Sequence, residues 1–154
     1  MKNAASLRTL LAYLLLICCL SAHAEERGYW RAASNSARTV TGDITLADEK
    51  LTINFSTTTI SKIRALEPSE ISAVFDTDSN APGTASLYRL NIPSAKKFLH
   101  KNSLCGAEDT HWMVAYGAAN TLQLAFFSGE KPPVLTFDAI ANSTDKCGTY
   151  TYVK

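Results

Sequence analysis

The sequence predicts a mainly β, single-domain protein, an antiparallel β-barrel or β-sandwich of about eight short strands with one short helix. Three observations lead to this prediction. Apolar and polar residues alternate with period two along most of the chain after residue 38, and turn-forming residues separate the alternating segments. Hydrophobic residues at 46% and charged residues at 19% are typical of a globular body.

The first 24 residues have the three parts of a cleaved secretory signal peptide. Lys2 and Arg8 supply positive charge, an apolar run covers residues 10–20, and the segment ends in the small-x-small pattern of Ala22-His23-Ala24. Such a short run does not span about 30 Å of hydrocarbon as a helix, so no transmembrane anchor is expected after cleavage. The sequence thus predicts a signal peptide at 1–24 and one β-rich domain at 25–154, exported to a periplasm or outside the cell.

Cleavage leaves a nearly neutral domain. Removing Lys2 and Arg8 from the 15 basic residues leaves 13, against 14 acidic ones, so the net charge becomes −1. A protein of this charge has no global electrostatic attraction for nucleic acid, and nucleic acid is not an expected partner.

The four cysteines are also divided between the predicted signal peptide and the predicted mature domain. Cys18 and Cys19 belong to the apolar run, whereas Cys105 and Cys147 remain in the mature domain. An even pair in an oxidising compartment predicts a structural disulfide between Cys105 and Cys147. A redox or metal-binding pair is the alternative, although no Cys-x-x-Cys spacing supports it.

The clearest local pattern is a β-hairpin near the start of the domain. Residues 39–46 alternate, with Val40, Ile44 and Leu46 on one face, and residues 51–56 alternate again after the polar turn at 47–50.

Further short strands are predicted along the rest of the chain, and a second hairpin is expected around the turn at 117–120. These strands lie at about 59–66, 71–75, 86–92, 112–116, 122–126, 134–137 and 148–153. In the last of them Tyr150 and Tyr152 share one face, and the pattern leaves open whether that face is core or surface.

One segment departs from the alternation. Ser94 is a good N-cap, and the helix-forming residues behind it place Phe98 and Leu99 at helical spacing. A short helix is therefore predicted at about 94–103.

The domain begins with Gly28-Tyr29-Trp30, a Gly-x-Trp triplet. The triplet is similar to the start of lipocalin-type barrels, in which the tryptophan packs across the closed end of the barrel. This resemblance implies a barrel, with a buried Trp30, and implies no particular activity. A barrel of about eight strands is either filled by side chains or wide enough for one small ligand.

The best cluster for chemistry is Glu108, Asp109 and His111. These residues have the chemistry of a general acid–base pair or of ligands for a divalent metal, and the alternative is a solvated turn. A metal site normally takes three or four protein ligands, and His100 is the one other histidine after residue 24. Neither a metal nor a cofactor is expected, and no nucleophile or phosphate-binding motif is present.

A second group of candidates lies in the loop at 128–133, which contains two prolines. Glu130, Lys131 and Pro132 are expected to be exposed there. Such a loop either inserts into a partner's cleft or simply connects two strands.

These observations favour a small exported binding protein without catalytic activity, an inhibitor-type or partner-binding module of the cell envelope. Its build is analogous to that of periplasmic inhibitors of cell-wall hydrolases, an analogy of architecture alone. The expected partner is a protein. The alternatives are a small-ligand carrier that uses a barrel interior and, ranked below it, an acid–base or metal-dependent enzyme that uses Glu108, Asp109 and His111.

Overall fold

Nine β-strands form the framework of residues 26–154. The computed structural model describes residues 26–154, so the predicted signal peptide at 1–24 lies outside the described residues. The strands are β1 (Gly28–Ala32), β2 (Ile44–Leu46), β3 (Lys50–Ile53), β4 (Ser56–Thr59), β5 (Ser61–Ala65), β6 (Thr84–Ile92), β7 (Thr110–Ala118), β8 (Thr121–Phe127) and β9 (Lys146–Val153). Short helical segments are α1 (Pro68–Phe75), α2 (Phe137–Ala141), a π-helical turn (Ala37–Thr41) and a 3₁₀ turn (Leu99–Lys101).

All nine strands belong to one antiparallel sheet with the order β4-β3-β2-β1-β9-β8-β7-β6-β5. Neighbouring strands are consecutive in the chain, except that β1 pairs with β9. The two edge strands, β4 and β5, are joined by Ile60 alone, and no ladder closes the sheet between them. The prediction of a mainly β, antiparallel fold is confirmed.

Every strand is antiparallel to its neighbours in the sheet, so β4 and β5 run in the same direction on either side of Ile60, and every other pair of consecutive strands is joined by a reversal at one of the two ends of the sheet. Four connections reach the same end, which we call the loop end. They are residues 33–43, 54–55, 93–109 and 128–145.

The main core lies on one face of the sheet. Buried side chains from seven strands and from Ile60 meet there in one cluster, which includes Trp30, Met113, Phe126 and Tyr152. A second cluster covers the opposite face of β6, β7 and β8, where α1 and α2 pack. These three strands are therefore buried on both faces, which explains their nearly continuous apolar stretches.

Both predicted hairpins are present. Ile44 pairs with Ile53 across β2 and β3, and Trp112 pairs with Phe127 across β7 and β8. The first strand is shorter than predicted, because the chain forms the π-helical turn at Ala37–Thr41 and reverses at Gly42, where φ is 65°.

The helix predicted at 94–103 is wrong. Within that range the structure has only the 3₁₀ turn at Leu99–Lys101. His100 and Lys101 have φ of 52° and 62°, which a right-handed helix does not allow. The segment is held instead by distant contacts, since the His100 ring nitrogen Nδ1 and the Asn102 side chain both hydrogen-bond to the carbonyl of Thr39, at 3.1 and 3.3 Å.

The strand predicted at 71–75 is also wrong, because these residues belong to α1. Glu67 and Glu70 form a reciprocal capping box, and Pro68 follows the cap. Ile71 and Val74 are three residues apart and face the second core cluster, which is helical rather than strand spacing.

The strand predicted at 134–137 is likewise wrong. The chain is irregular up to Thr136, whose hydroxyl accepts a hydrogen bond from the backbone of Ala139 and so begins α2.

Candidate functional site

The six side chains predicted as candidates all lie at the loop end. The connection at 93–109 and the start of β7 carry three of them, and the connection at 128–145 carries the others. They are Glu108, Asp109, His111, Glu130, Lys131 and Pro132.

The predicted disulfide between Cys105 and Cys147 is confirmed, with the two Cα atoms 4.9 Å apart. It joins the 93–109 connection to the beginning of β9, immediately after the 128–145 connection. The bond therefore ties together the two loops that carry the candidate residues.

Asp109 contributes to the structure of its own loop. One of its carboxylate oxygens, Oδ1, accepts a hydrogen bond from the backbone N–H of Ser94 at 2.7 Å. This bond and the nearby Ser94 hydroxyl hold the pKa of Asp109 below its usual value. The carboxylate is thus engaged in pinning the two ends of the 93–109 connection to each other.

His111 is engaged differently. Its carbonyl accepts a hydrogen bond from Arg89 at 3.3 Å, and the Arg89 guanidinium stacks 4.7 Å from the centre of the Trp112 ring. The His111 Nδ1 atom is buried without a hydrogen-bond partner among residues 26–154. No hydrogen bond between described residues joins the His111 side chain to Glu108 or Asp109.

A metal centre finds no support in the described part of the chain. Residues 26–154 contain no group of three or more His, Cys, Asp or Glu side chains placed to hold a metal ion.

The 128–145 connection is closed firmly at its base. The backbone N–H of Ser128 donates to the carbonyl of Asp145 at 2.9 Å, so the loop begins and ends at one point. The Lys146 ammonium donates to the carbonyl of Val74 at 2.8 Å, and burial lowers the pKa of that lysine. These contacts attach the foot of the loop to both β8 and α1.

The middle of the same connection presents apolar side chains to solvent. Leu135 is buried in the second core cluster, whereas its neighbours Val134 and Phe137 are 67% and 58% exposed. Leu135 thus anchors a segment in which Val134 and Phe137 face outward.

A cleft of about 480 Å³ lies between the two halves of this connection. Its lining includes Glu130, Lys131, Pro132 and Val134 from one half and Asn142 and Ser143 from the other. The structure therefore brings together the second group of predicted residues around one concave surface of mixed apolar and polar character.

One buried acid, Glu26, was not predicted from the sequence. Glu26 is only 8% exposed, and its carboxylate accepts hydrogen bonds from Ser86 at 3.0 Å and from Tyr88 at 2.7 Å. The backbone carbonyl of Glu26 accepts a further bond from the Trp30 indole at 3.1 Å. The polar run Glu25-Glu26-Arg27 contains no pattern that distinguishes Glu26, because its burial depends on residues about 60 positions away.

Burial gives Glu26 a testable pH dependence. Desolvation raises its pKa above 4.5, against the opposing effects of the hydrogen bonds from Tyr88 and Ser86 and of the charges on Lys62 and Arg27. The folded state thus holds this proton more tightly than the unfolded state. We expect the contribution of Glu26 to stability to fall as the pH rises from about 4.5 through the raised pKa of the folded state.

Urea unfolding of the wild type and of Glu26→Gln across this pH range tests the expectation. The wild type should lose stability relative to Glu26→Gln as the pH rises. Glu49→Gln, which changes an exposed acid, is the matched control. Parallel profiles for the wild type and Glu26→Gln would contradict the assignment.

No family model matches the chain, and comparison with the curated proteins and with the solved structures found no match. Within residues 26–154, no helix is long and apolar enough to cross a membrane.

Proposed function

We propose that this protein is a small exported binding module without catalytic activity, and that it binds a protein partner at the loop end. The observation that carries the proposal is the pair of outward-facing apolar side chains, Val134 and Phe137, on a connection whose base and middle are both anchored. Exposed apolar residues on a well-supported loop favour protein recognition.

Preorganisation supports this proposal. Pro132 and Pro133 restrict the backbone of the loop, the bond between Ser128 and Asp145 closes it, and the disulfide at Cys147 holds its foot. A loop that is already ordered loses less conformational entropy on binding. The same build suits an inhibitor-type loop that inserts into the cleft of a partner in the cell envelope.

The composition of the surface also suits a protein partner. Val134 and Phe137 supply apolar area, while Glu130 and Lys131 supply charges of both signs beside it, which is the usual arrangement of core and rim in an interface. The cleft between the two halves of the loop has room for a side chain from the partner. Export rests on the N-terminal pattern and is consistent with the disulfide.

The two alternatives have less support. Large buried side chains, including Trp30, Phe126, Tyr150 and Tyr152, occupy the main core where a carrier would hold its ligand. Asp109 is committed to the Ser94 backbone, which weakens the case for an acid–base enzyme.

Affinity purification from an envelope extract, followed by binding measurements with the purified partner, tests the proposal. We expect the double variant Val134→Ser/Phe137→Ser to lose about 30-fold or more in affinity, since truncating a central apolar contact has a cost of this order. Both side chains are exposed, so the variant should fold as the wild type does.

Ile63→Ser is the matched control, because Ile63 is an exposed apolar residue on β5, away from the loop end. It should leave the affinity unchanged. Equal affinities for the wild type and the double variant would overturn the proposed surface, and so would an extract with no specific protein partner.

A further inference from the structure

The hairpin between β3 and β4 has an unusual turn. Ile53 pairs directly with Ser56, so the turn consists of Asn54 and Phe55 alone. Both turn residues have positive φ, 45° and 63°. Two-residue hairpins of this kind favour glycine at the second position, which Phe55 occupies here.

Phe55 gains nothing from folding in this position. A bulky side chain at positive φ strains the backbone. Its side chain is also fully exposed, at 101% of the reference area, so it buries no apolar surface in return. A strained, unburied aromatic residue at the tip of a hairpin is a candidate for a contact outside the chain.

The hairpin presents this side chain rigidly. The hydroxyls of Thr52 and Thr57 hydrogen-bond across the strands at 2.9 Å, and Ile53, next to the turn, is buried in the main core. The opposite edge of β3 is paired with β2, so the tip rests on a sheet. The turn at 54–55 is one of the four connections at the loop end, together with the 128–145 connection.

We infer that Phe55 is an anchor residue that inserts into an apolar pocket of the protein partner bound at the loop end. This inference rests on the proposed function and adds a second, separate point of contact. Central aromatic anchors surrounded by polar residues are a common arrangement in protein interfaces.

The neighbours of Phe55 favour a protein pocket over a lipid surface. Asn54, Ser56 and Thr57 are polar and uncharged. Lys50, the basic residue of this hairpin, lies at its far end, opposite Thr59. Binding to a membrane surface relies on several apolar residues flanked by basic ones, and this tip has one aromatic residue and no basic residue within four positions of it in the sequence.

Site-specific photo-crosslinking in the envelope extract tests the inference. Full mature chains carry p-benzoylphenylalanine at Phe55, at Thr59 as an exposed control on the same hairpin, or at Glu130 to report on the 128–145 connection. We expect position 55 to yield one protein adduct and position 59 to yield none. Excess unlabelled wild-type protein should abolish the adduct.

The competitor Phe55→Gly makes the result specific. Glycine adopts a φ of 63° without strain, so this variant should unfold at no lower temperature than the wild type. It should nevertheless compete at least about 30-fold less well than the wild type, and Phe55→Leu should be intermediate.

Several outcomes overturn the inference: equal competition by Phe55→Gly, an adduct with lipid, an adduct with a second copy of the chain, or no adduct from position 55. An adduct from position 130 without one from position 55 would refute the Phe55 anchor and uphold the 128–145 surface. The reverse result would uphold Phe55 as a contact and refute that surface. Adducts from neither position would refute both proposals.

Discussion

Replacing both Cys105 and Cys147 with alanine is expected to lower the free energy of unfolding by about 4 kcal/mol. The disulfide spans 42 positions of sequence and limits the freedom of the unfolded chain over that whole segment. In the folded state it connects the 93–109 connection to the start of β9, so its loss should also loosen the loop end. Urea unfolding of the oxidised wild type and of the double variant measures the effect.

Two controls accompany this measurement. A wild-type chain of residues 26–154 treated with a reductant should approach the stability of the double variant, and the same chain without reductant should contain no free thiol. A stability loss below about 1 kcal/mol would mean that the bond constrains little of the unfolded ensemble. If the bond also orders the proposed surface, the double variant should bind the partner more weakly under conditions in which it remains folded.

Trp30→Ala is expected to destabilise the protein by about 3–5 kcal/mol. The Trp30 side chain is completely buried, its indole donates to the carbonyl of Glu26, and the Lys154 ammonium lies 4.8 Å from the ring centre. Alanine would leave a large cavity in the main core and remove the bond that positions Glu26. Thermal and urea unfolding give the loss directly.

Phe55→Ala is the matched control, because it also truncates an aromatic side chain but at a fully exposed position. Its stability should stay within about 0.5 kcal/mol of the wild type. Similar losses for the two variants would show that burial of Trp30 contributes less to the core than its position indicates.

The local patterns in the sequence succeeded where one strand contacts its immediate neighbour. The hairpins around 47–50 and 117–120 follow from alternation and turn residues that lie within a few positions of each other. Prediction failed at 71–75, where a short apolar run fits a strand and a helix equally well, and at 134–137, where the chain is irregular up to Thr136. At 94–103 the helical pattern was overridden by bonds to Thr39 and by the backbone of His100 and Lys101.

Some features of the candidate site could be predicted from the sequence and others could not. Cysteine pairing and the exposed Glu130, Lys131 and Pro132 were predictable, because they depend on compartment, composition and loop chemistry. Phe55 and Glu26 were not. A phenylalanine beside an asparagine carries no mark of full exposure, and the burial of Glu26 depends on Ser86 and Tyr88, far along the chain.

By itself, the sequence determined that this protein is mainly β and that Cys105 and Cys147 pair, because side-chain alternation and the count of cysteines are local or compositional properties. Only the tertiary structure decided that Tyr150 and Tyr152 face the core and that the candidate residues share one end of the sheet. Those features depend on which strands pair and in which direction, and strand pairing is set by contacts between residues far apart in the chain.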